Sequence, residues 1–304
     1  MGRPMSGHLE AAGHPVKTFD RAGHGNCRSL REAAQGADVL VTMLPDGGVV
    51  REVVLEAMPS LREGALVIDM SSADPAGSRA LGRALAAHGI AMIDAPVSGA
   101  IAKAKDATLA IMVGGAAADV ERARPVLRRM GSDIFHCGPL GAGHAVKALN
   151  NYLGAAGTLA GFEALLVAQA FGLDPKPMLQ AINASTGKNT TTERKIPQQV
   201  LTGAFASGFK LALMAKDVGI AAALASDVGV PTPYLSKTLE LWREAQRKLP
   251  PDADHTEIYN YLATLRAAPA RGKTVPSRAA PSPPSSSRRR PRRSSAPAGR
   301  RRRS

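Results

Sequence analysis

Residues four apart on a helix share a face, and GAGHAVKALNN (141–151) places Lys147 and Asn151 in that relation with Asn150 beside them. A lysine desolvated by a cleft has its pKa lowered towards the range in which it takes and returns protons. A lysine on a helix is otherwise simply solvated, and spacing alone leaves both readings open. DAPVSGA (94–100) closes a strand-like run, and ligands in open parallel sheets bind beyond the carboxyl ends of the strands. Ser98 and the N–H groups around Gly99 suit a small carboxylate there, although an ordinary turn reads equally well. MAKDVGIA (214–221) sets Lys216 and Asp217 in an apolar helix. Neighbours in sequence are not expected to bridge on a helix, so either each finds a partner elsewhere or the pair lines a cleft. Near the start, Gly2 opens a helix, a strand follows, and Asp20 ends it, 18 residues after Gly2. A carboxylate so placed binds the ribose hydroxyls of a dinucleotide and favours NAD over NADP. An ordinary surface Asp in an Asp20-Arg21 turn is the plainer alternative.

These residues need elements to position them. Residues 4–12 read as a helix, 15–19 (PVKTF) as a short strand and 29–35 as a helix. Segments 38–44, 65–70, 90–94, 108–113 and 133–137 read as strands, with helices at 49–57, 76–88 and 118–130 between them. Strands that alternate with helices and are apolar on both faces predict an α/β fold, a doubly wound parallel sheet. From about residue 141 the strand signals stop. Ala/Leu-rich helices follow at about 143–171, 175–184, 193–200, 209–227, 231–248 and 254–265. The expected domains are 1–137, dinucleotide-binding; 138–265, all-helical; and 266–304, a Pro/Ser/Ala/Arg tail that cannot bury a core and should be disordered.

Charge narrows the function classes. A net charge of +14 resembles a nucleic-acid binder, but thirteen of the 39 Lys and Arg fall in 263–304, where there is no Asp or Glu. That leaves 26 basic against 25 acidic residues in 1–262, so the body is nearly neutral. Cys27 and Cys137 are too few for a disulfide scaffold, no Cys/His cluster suggests a metal, and reduced thiols in the cytoplasm are expected. The first residues lack the apolar run of a signal peptide. Segment 152–171 has the length of a membrane span, but Glu163 and Gln169 make a buried helix the better reading.

Taken in order, the MGxPM start, TMLP (42–45), IDMSSADP (68–75), DAPVSG (94–99), IMVGG (111–115), GxGxxxKxxNN (141–151), MAKD (214–217) and DADHTEIYNYL (252–262) resemble the β-hydroxyacid dehydrogenases of the 3-hydroxyisobutyrate dehydrogenase type. Each motif alone is weak; the ordered set spans residues 1 to about 262. The resemblance implies a Rossmann-like domain followed by a helical substrate and dimerisation domain, with 152–171 in the long helix that joins them. It implies a cytoplasmic homo-oligomer that moves a hydride between NAD, or NADP, and a small β-hydroxyacid. The leading substrate is 3-hydroxyisobutyrate; 2-hydroxy-3-oxopropionate or 4-hydroxybutyrate would need small pocket changes. Lys147 matches the catalytic lysine, which also speaks against the related imine reductases. Ser98, Gly99, Ala100 and Asn151 match substrate-binding positions. Met1, Gly2, Asp20, Arg21, Leu44, Pro45, Ser72 and Lys216 match cofactor-binding positions.

Three departures qualify the resemblance. The family opens with a strand and GxGxMG, whereas this sequence begins at the Met of that motif. The expectation is a fold without its first strand, recorded from too late a start. The substrate loop reads Ser98-Gly99-Ala100 where the family has a second Gly, and a positive φ there would cost Ala100 about 1 kcal/mol. The Arg-rich tail is extra: it suits nucleic-acid or lipid phosphates, or is a frame-shifted read-through. A catalytically silent dehydrogenase-like scaffold, tethered to nucleic acid by that tail, is therefore the alternative.

Overall fold

The structure, a computed structural model, describes residues 1–265. Its first half is a six-stranded sheet. β1 (Val39–Thr42), β2 (Leu66–Asp69) and β3 (Ala91–Asp94) run parallel, so that Thr42, Asp69 and Asp94 stand level at their carboxyl ends. β4 (Val97–Ser98) and β5 (Leu109–Gly114) pair antiparallel, β5 also meets β3 antiparallel, and β6 (Gly131–Gly138) runs parallel to β5. The Rossmann-like architecture is as expected, but the sheet is mixed rather than wholly parallel. The link from β4 to β5 holds only a short helix, α5 (Ala100–Lys105), and is too short for the crossover that a parallel return requires.

Side-chain alternation makes two cores. Leu66 and Ile68 of β2 join Ile93, Ile111 and Val113 beneath α1 (Gly2–Ala11) and α6 (Ala117–Leu127). Val67 and Met92, on the other face, pack against α3 (Gly47–Ala57) and α4 (Pro75–Ala86). Both of those helices start on an Asp cap: Asp46 accepts from Val49 N–H and Asp74 from Gly77 N–H. Ser29 caps the short α2 (Leu30–Ala34) in the same way through Glu32 N–H.

The strand expected at 15–19 is absent. A strand is held by a neighbour's ladder, and among the described residues β1 pairs only with β2. Instead Thr18 and Val16 bond to their own loop. Thr18 N–H donates to Asn26 Oδ1, Thr18 O accepts from Cys27 N–H, and Val16 O accepts from Asn26 Nδ2.

The second half is helical, as expected. α7 (Ala142–Phe171), α8 (Pro175–Asn183), α9 (Leu211–Asp227), α10 (Pro233–Lys248) and α11 (Ile258–Thr264) enclose one apolar cluster around Phe162 and Trp242. The helix expected at 193–200 is instead a π-helix, Thr191–Val200, with Pro197, which has no N–H to donate, inside it. α7 is long and apolar enough to cross a membrane by length and composition. It buries Ala155, Leu159, Phe162 and Leu165 against α9 and its neighbours, the packing of a core helix. The basic tail, with the disorder and nucleic-acid contacts expected of it, lies outside the described residues.

Candidate active site

The site forms where α7 meets the carboxyl ends of β2 and β3. The chain enters α7 through Gly141, whose φ of +92° favours glycine, and a Cβ on Gly143 would strike Met112 O and Asp94. That close approach lets the N–H groups of Gly141 and His144 donate to the two carboxylate oxygens of Asp94, each at 2.6 Å. A fully buried carboxylate thus meets the positive end of α7. Burial raises the pKa of Asp94, while His144 and the two N–H groups pull it back down.

His144 is buried too. Its ring nitrogens lie 2.8 Å from Ser78 Oγ on α4 and 3.1 Å from Ser71 O beyond β2, with Asp69 and Asp94 each 3.7 Å away. Asp69 Oδ1 accepts from Thr42 Oγ1 and from Ser71 N–H, and Ser71 Oγ accepts from Leu44 N–H. One polar network therefore ties three strand ends, α4 and the first turn of α7.

One turn further along α7 stands Lys147, half-buried. It shares a narrow cleft with Ser72, Ala73, His144, Ala148, Asp217 and Ile220. Desolvation lowers the pKa of its ammonium; Asp217 opposes that shift and the charge of Lys216 adds to it. Asn151, one turn on, donates from Nδ2 to Asp217 Oδ2 at 2.6 Å. Lys216 donates to Ser72 O at 2.8 Å and lies 3.1 Å from Asp217 Oδ1. The expectation that these sequence neighbours do not bridge is corrected. Both side chains turn into the cleft, where buried Asp217 sits close to the half-buried ammonium of Lys216. Lys147 and Asn151 of α7, Lys216 of α9 and Ser72 after β2 are thus brought to one place from three segments far apart in sequence.

The other expected residues lie elsewhere. Ser98 ends β4, Gly99 has φ +133°, and Ala100, with φ +56°, takes the positive φ suspected for it. Among the described residues no hydrogen bond joins this loop to the Lys147 cluster. Asp20 and Arg21 are exposed, and Asp20 accepts from Ala22 N–H at 2.7 Å. Leu44 and Pro45 follow β1. Gly2 lies beside Met43, so the N-terminus of α1 reaches the carboxyl end of β1. Met1 and Gly2 open α1 without a side-chain cap, leaving its first N–H groups for a ligand. An uncapped helix N-terminus at the end of a strand suits a pyrophosphate, so these residues fit a dinucleotide.

Comparison with known proteins identifies the family that carries this fold. Residues 1–138 match the model for the NAD binding domain of 6-phosphogluconate dehydrogenase. Residues 141–262 match that for the NAD-binding region of NADP-dependent 3-hydroxyisobutyrate dehydrogenase. A solved Mycobacterium tuberculosis 3-hydroxyisobutyrate dehydrogenase with L-serine superposes with a TM-score of 0.81 at 35% identity, covering 86% of this chain and 95% of that one. The chain belongs to the 3-hydroxyisobutyrate dehydrogenase family. The NAD-dependent L-serine dehydrogenase of Pseudomonas aeruginosa is 38% identical over 80% of this chain and 88% of its own. The 2-(hydroxymethyl)glutarate dehydrogenase of Eubacterium barkeri is 33% identical over 80% and 85%. The protein is an NAD(P)-dependent oxidoreductase of hydroxyacids, and a catalytically silent scaffold is not what these likenesses favour.

Sequence reasoning missed His144, Asp69, Asp94 and Ser78 as a unit. The one signal available was His144 itself, three residues before Lys147 and so on an adjoining part of the same helix.

Proposed function

We propose that Lys147 is the acid–base group of a dehydrogenase acting on a small β-hydroxyacid, with 3-hydroxyisobutyrate or a close analogue such as L-serine as substrate. The observation that carries this is the half-buried Lys147 amine, its pKa lowered by burial, in a cleft shared with Asp217 and one turn from Asn151. In oxidation the free amine accepts the proton of the substrate hydroxyl at Nζ; in reduction the ammonium returns it. Bound NAD, or NADP, supplies the hydride acceptor. Asn151, fixed by Asp217, keeps its second amide hydrogen for the substrate. Ser98, Gly99 and Ala100 hold the carboxylate. Met1 and Gly2 at the start of α1, with Asp20, Arg21, Leu44, Pro45 and Ser72, hold the cofactor, and the exposed carboxylate of Asp20 supports NAD over NADP. Lys216 covers the nicotinamide end from α9. Asp217 and His144 position and do not react.

In this reading residues 1–137 act as the cofactor domain and 138–265 as the substrate and dimerisation domain. The separate apolar clusters of the two segments support that division. Homodimerisation is supported by α7, where Val146, Leu149 and Leu153, and further along Val167 and Phe171, stay exposed on one side of the helix away from Lys147. Reduction of NAD in the presence of 3-hydroxyisobutyrate tests the function, and failure of every β-hydroxyacid tried to reduce NAD or NADP contradicts it.

A further inference from the structure

α4 buries Leu81 and Leu85 on one side and turns Arg79, Gly82, Arg83 and Ala86 to another, the i, i+3, i+4, i+7 relation of a single helix face. With Pro139 and Leu140, from the link between β6 and α7, these residues line a groove of about 300 Å³, at the small end of the range for small-molecule sites. Gly82 shapes its floor. A Cβ there would strike Leu140 Cδ2, so the glycine lets Leu140 seat directly on the helix between the two arginine positions. The groove shares no lining residue with the Lys147 cleft.

Arg79 and Arg83 are exposed and, among the described residues, neither forms an ion pair or a side-chain hydrogen bond; the arginines that do are Arg62, Arg122 and Arg124. The carboxylates at the ends of the elements that frame the groove are spent elsewhere. Asp74 accepts from Gly77 N–H as the N-cap of α4, and Asp94 accepts from the N–H groups of Gly141 and His144. The Arg79 side chain folds back against the entry to α7: a Cβ on Gly141 would sit 3.2 Å from its Nη1 and 3.4 Å from its Cγ. Two unpaired guanidinium groups thus border one apolar floor. Such a pairing suits an anion rich in oxygens on a small apolar body. A phosphate has three oxygens to share between two guanidinium forks, whereas one fork already matches both oxygens of a carboxylate.

We propose that Arg79 and Arg83 bind a small phosphate monoester, its phosphate between the two guanidinium groups and its apolar part on Leu140 and Ala86. The site is separate from the Lys147 cleft and does not depend on the role given to Lys147.

Calorimetry tests this with phenyl phosphate and inorganic phosphate as probes, on the wild type, Arg83→Gln and Ala86→Leu, with NAD saturating to keep phosphates out of the cofactor site. Both substitutions change exposed residues of α4, so the fold is expected to survive them. Phenyl phosphate binds the wild type about tenfold or more tighter than inorganic phosphate, and weakens about tenfold or more in Arg83→Gln, the scale of one charged hydrogen bond. In Ala86→Leu, whose longer side chain takes the space of the ring, its advantage over inorganic phosphate is lost. No binding of phenyl phosphate by the wild type, equal affinity for the two probes, or affinity for phenyl phosphate unchanged in either variant overturns the site.

Discussion

Lys147 accepts a proton only as the free amine, so the pH dependence of the oxidation reports on its surroundings. Burial lowers its pKa, Asp217 pulls it back up and Lys216 lowers it further. The rate of hydroxyacid oxidation is therefore expected to rise with pH and level off below the ordinary lysine value of 10.5, because the group limiting it loses its proton early. Replacing Asp217 by Asn removes the charge that holds the proton on, and the profile should move to lower pH; initial rates across the pH range check both. At this scale much was legible. Lys147 and Asn151 were marked by their four-residue spacing, and Lys216 by breaking an apolar helix. The mutual approach of Lys216 and Asp217 was not, because helix geometry keeps sequence neighbours apart unless a cleft draws both side chains inwards. Ala100 was legible as strain, and its φ of +56° bears that out.

The first turn of α7 holds Lys147 in place, and it is anchored by groups from three other elements. His144 supplies the main-chain N–H to Asp94 and the ring contacts to Ser78 and Ser71. Replacing His144 by Leu leaves two buried carboxylates without their neighbour and should cost about 3 kcal/mol of stability, read from the urea midpoint. A loss under about 0.5 kcal/mol, the range of an ordinary surface change, would show that the network does not anchor the helix. Element types came through where periodicity was strong: α3, α4, α6, α7 and the apolar runs of β2, β3 and β5. They failed where the partner decides. The run at 15–19 is strand-like in composition, but among the described residues no strand lies beside it to complete a ladder. The buried network escaped because Ser78 and His144 stand 66 residues apart, and no local pattern joins them.

Across the whole molecule the described body is a nearly neutral α/β and helical protein, and the basicity of the sequence lies in residues beyond it. The exposed apolar stripe on α7 calls for a partner, and a second copy is the one proposed. Leu153 is 69% exposed and Val167 is 69% exposed, so charging both should leave the fold intact while shifting the protein from dimer to monomer in sedimentation. An unchanged sedimentation coefficient would place the dimer contact elsewhere. The order of motifs made the family legible before any coordinates, and with it the expectation of a homo-oligomer; the face proposed for the second copy was not, because the α7 stripe reads as core in the sequence and is exposed in the structure.

Lys147 is tested most directly by NAD reduction with 3-hydroxyisobutyrate in the wild type and Lys147→Ala, with NAD binding measured on both by fluorescence. The wild type is expected to turn over, and the variant to bind NAD normally but to lose kcat by about a thousandfold, in the range general acid–base groups contribute. A Lys147→Ala protein that binds NAD and keeps near-normal kcat would contradict the assignment.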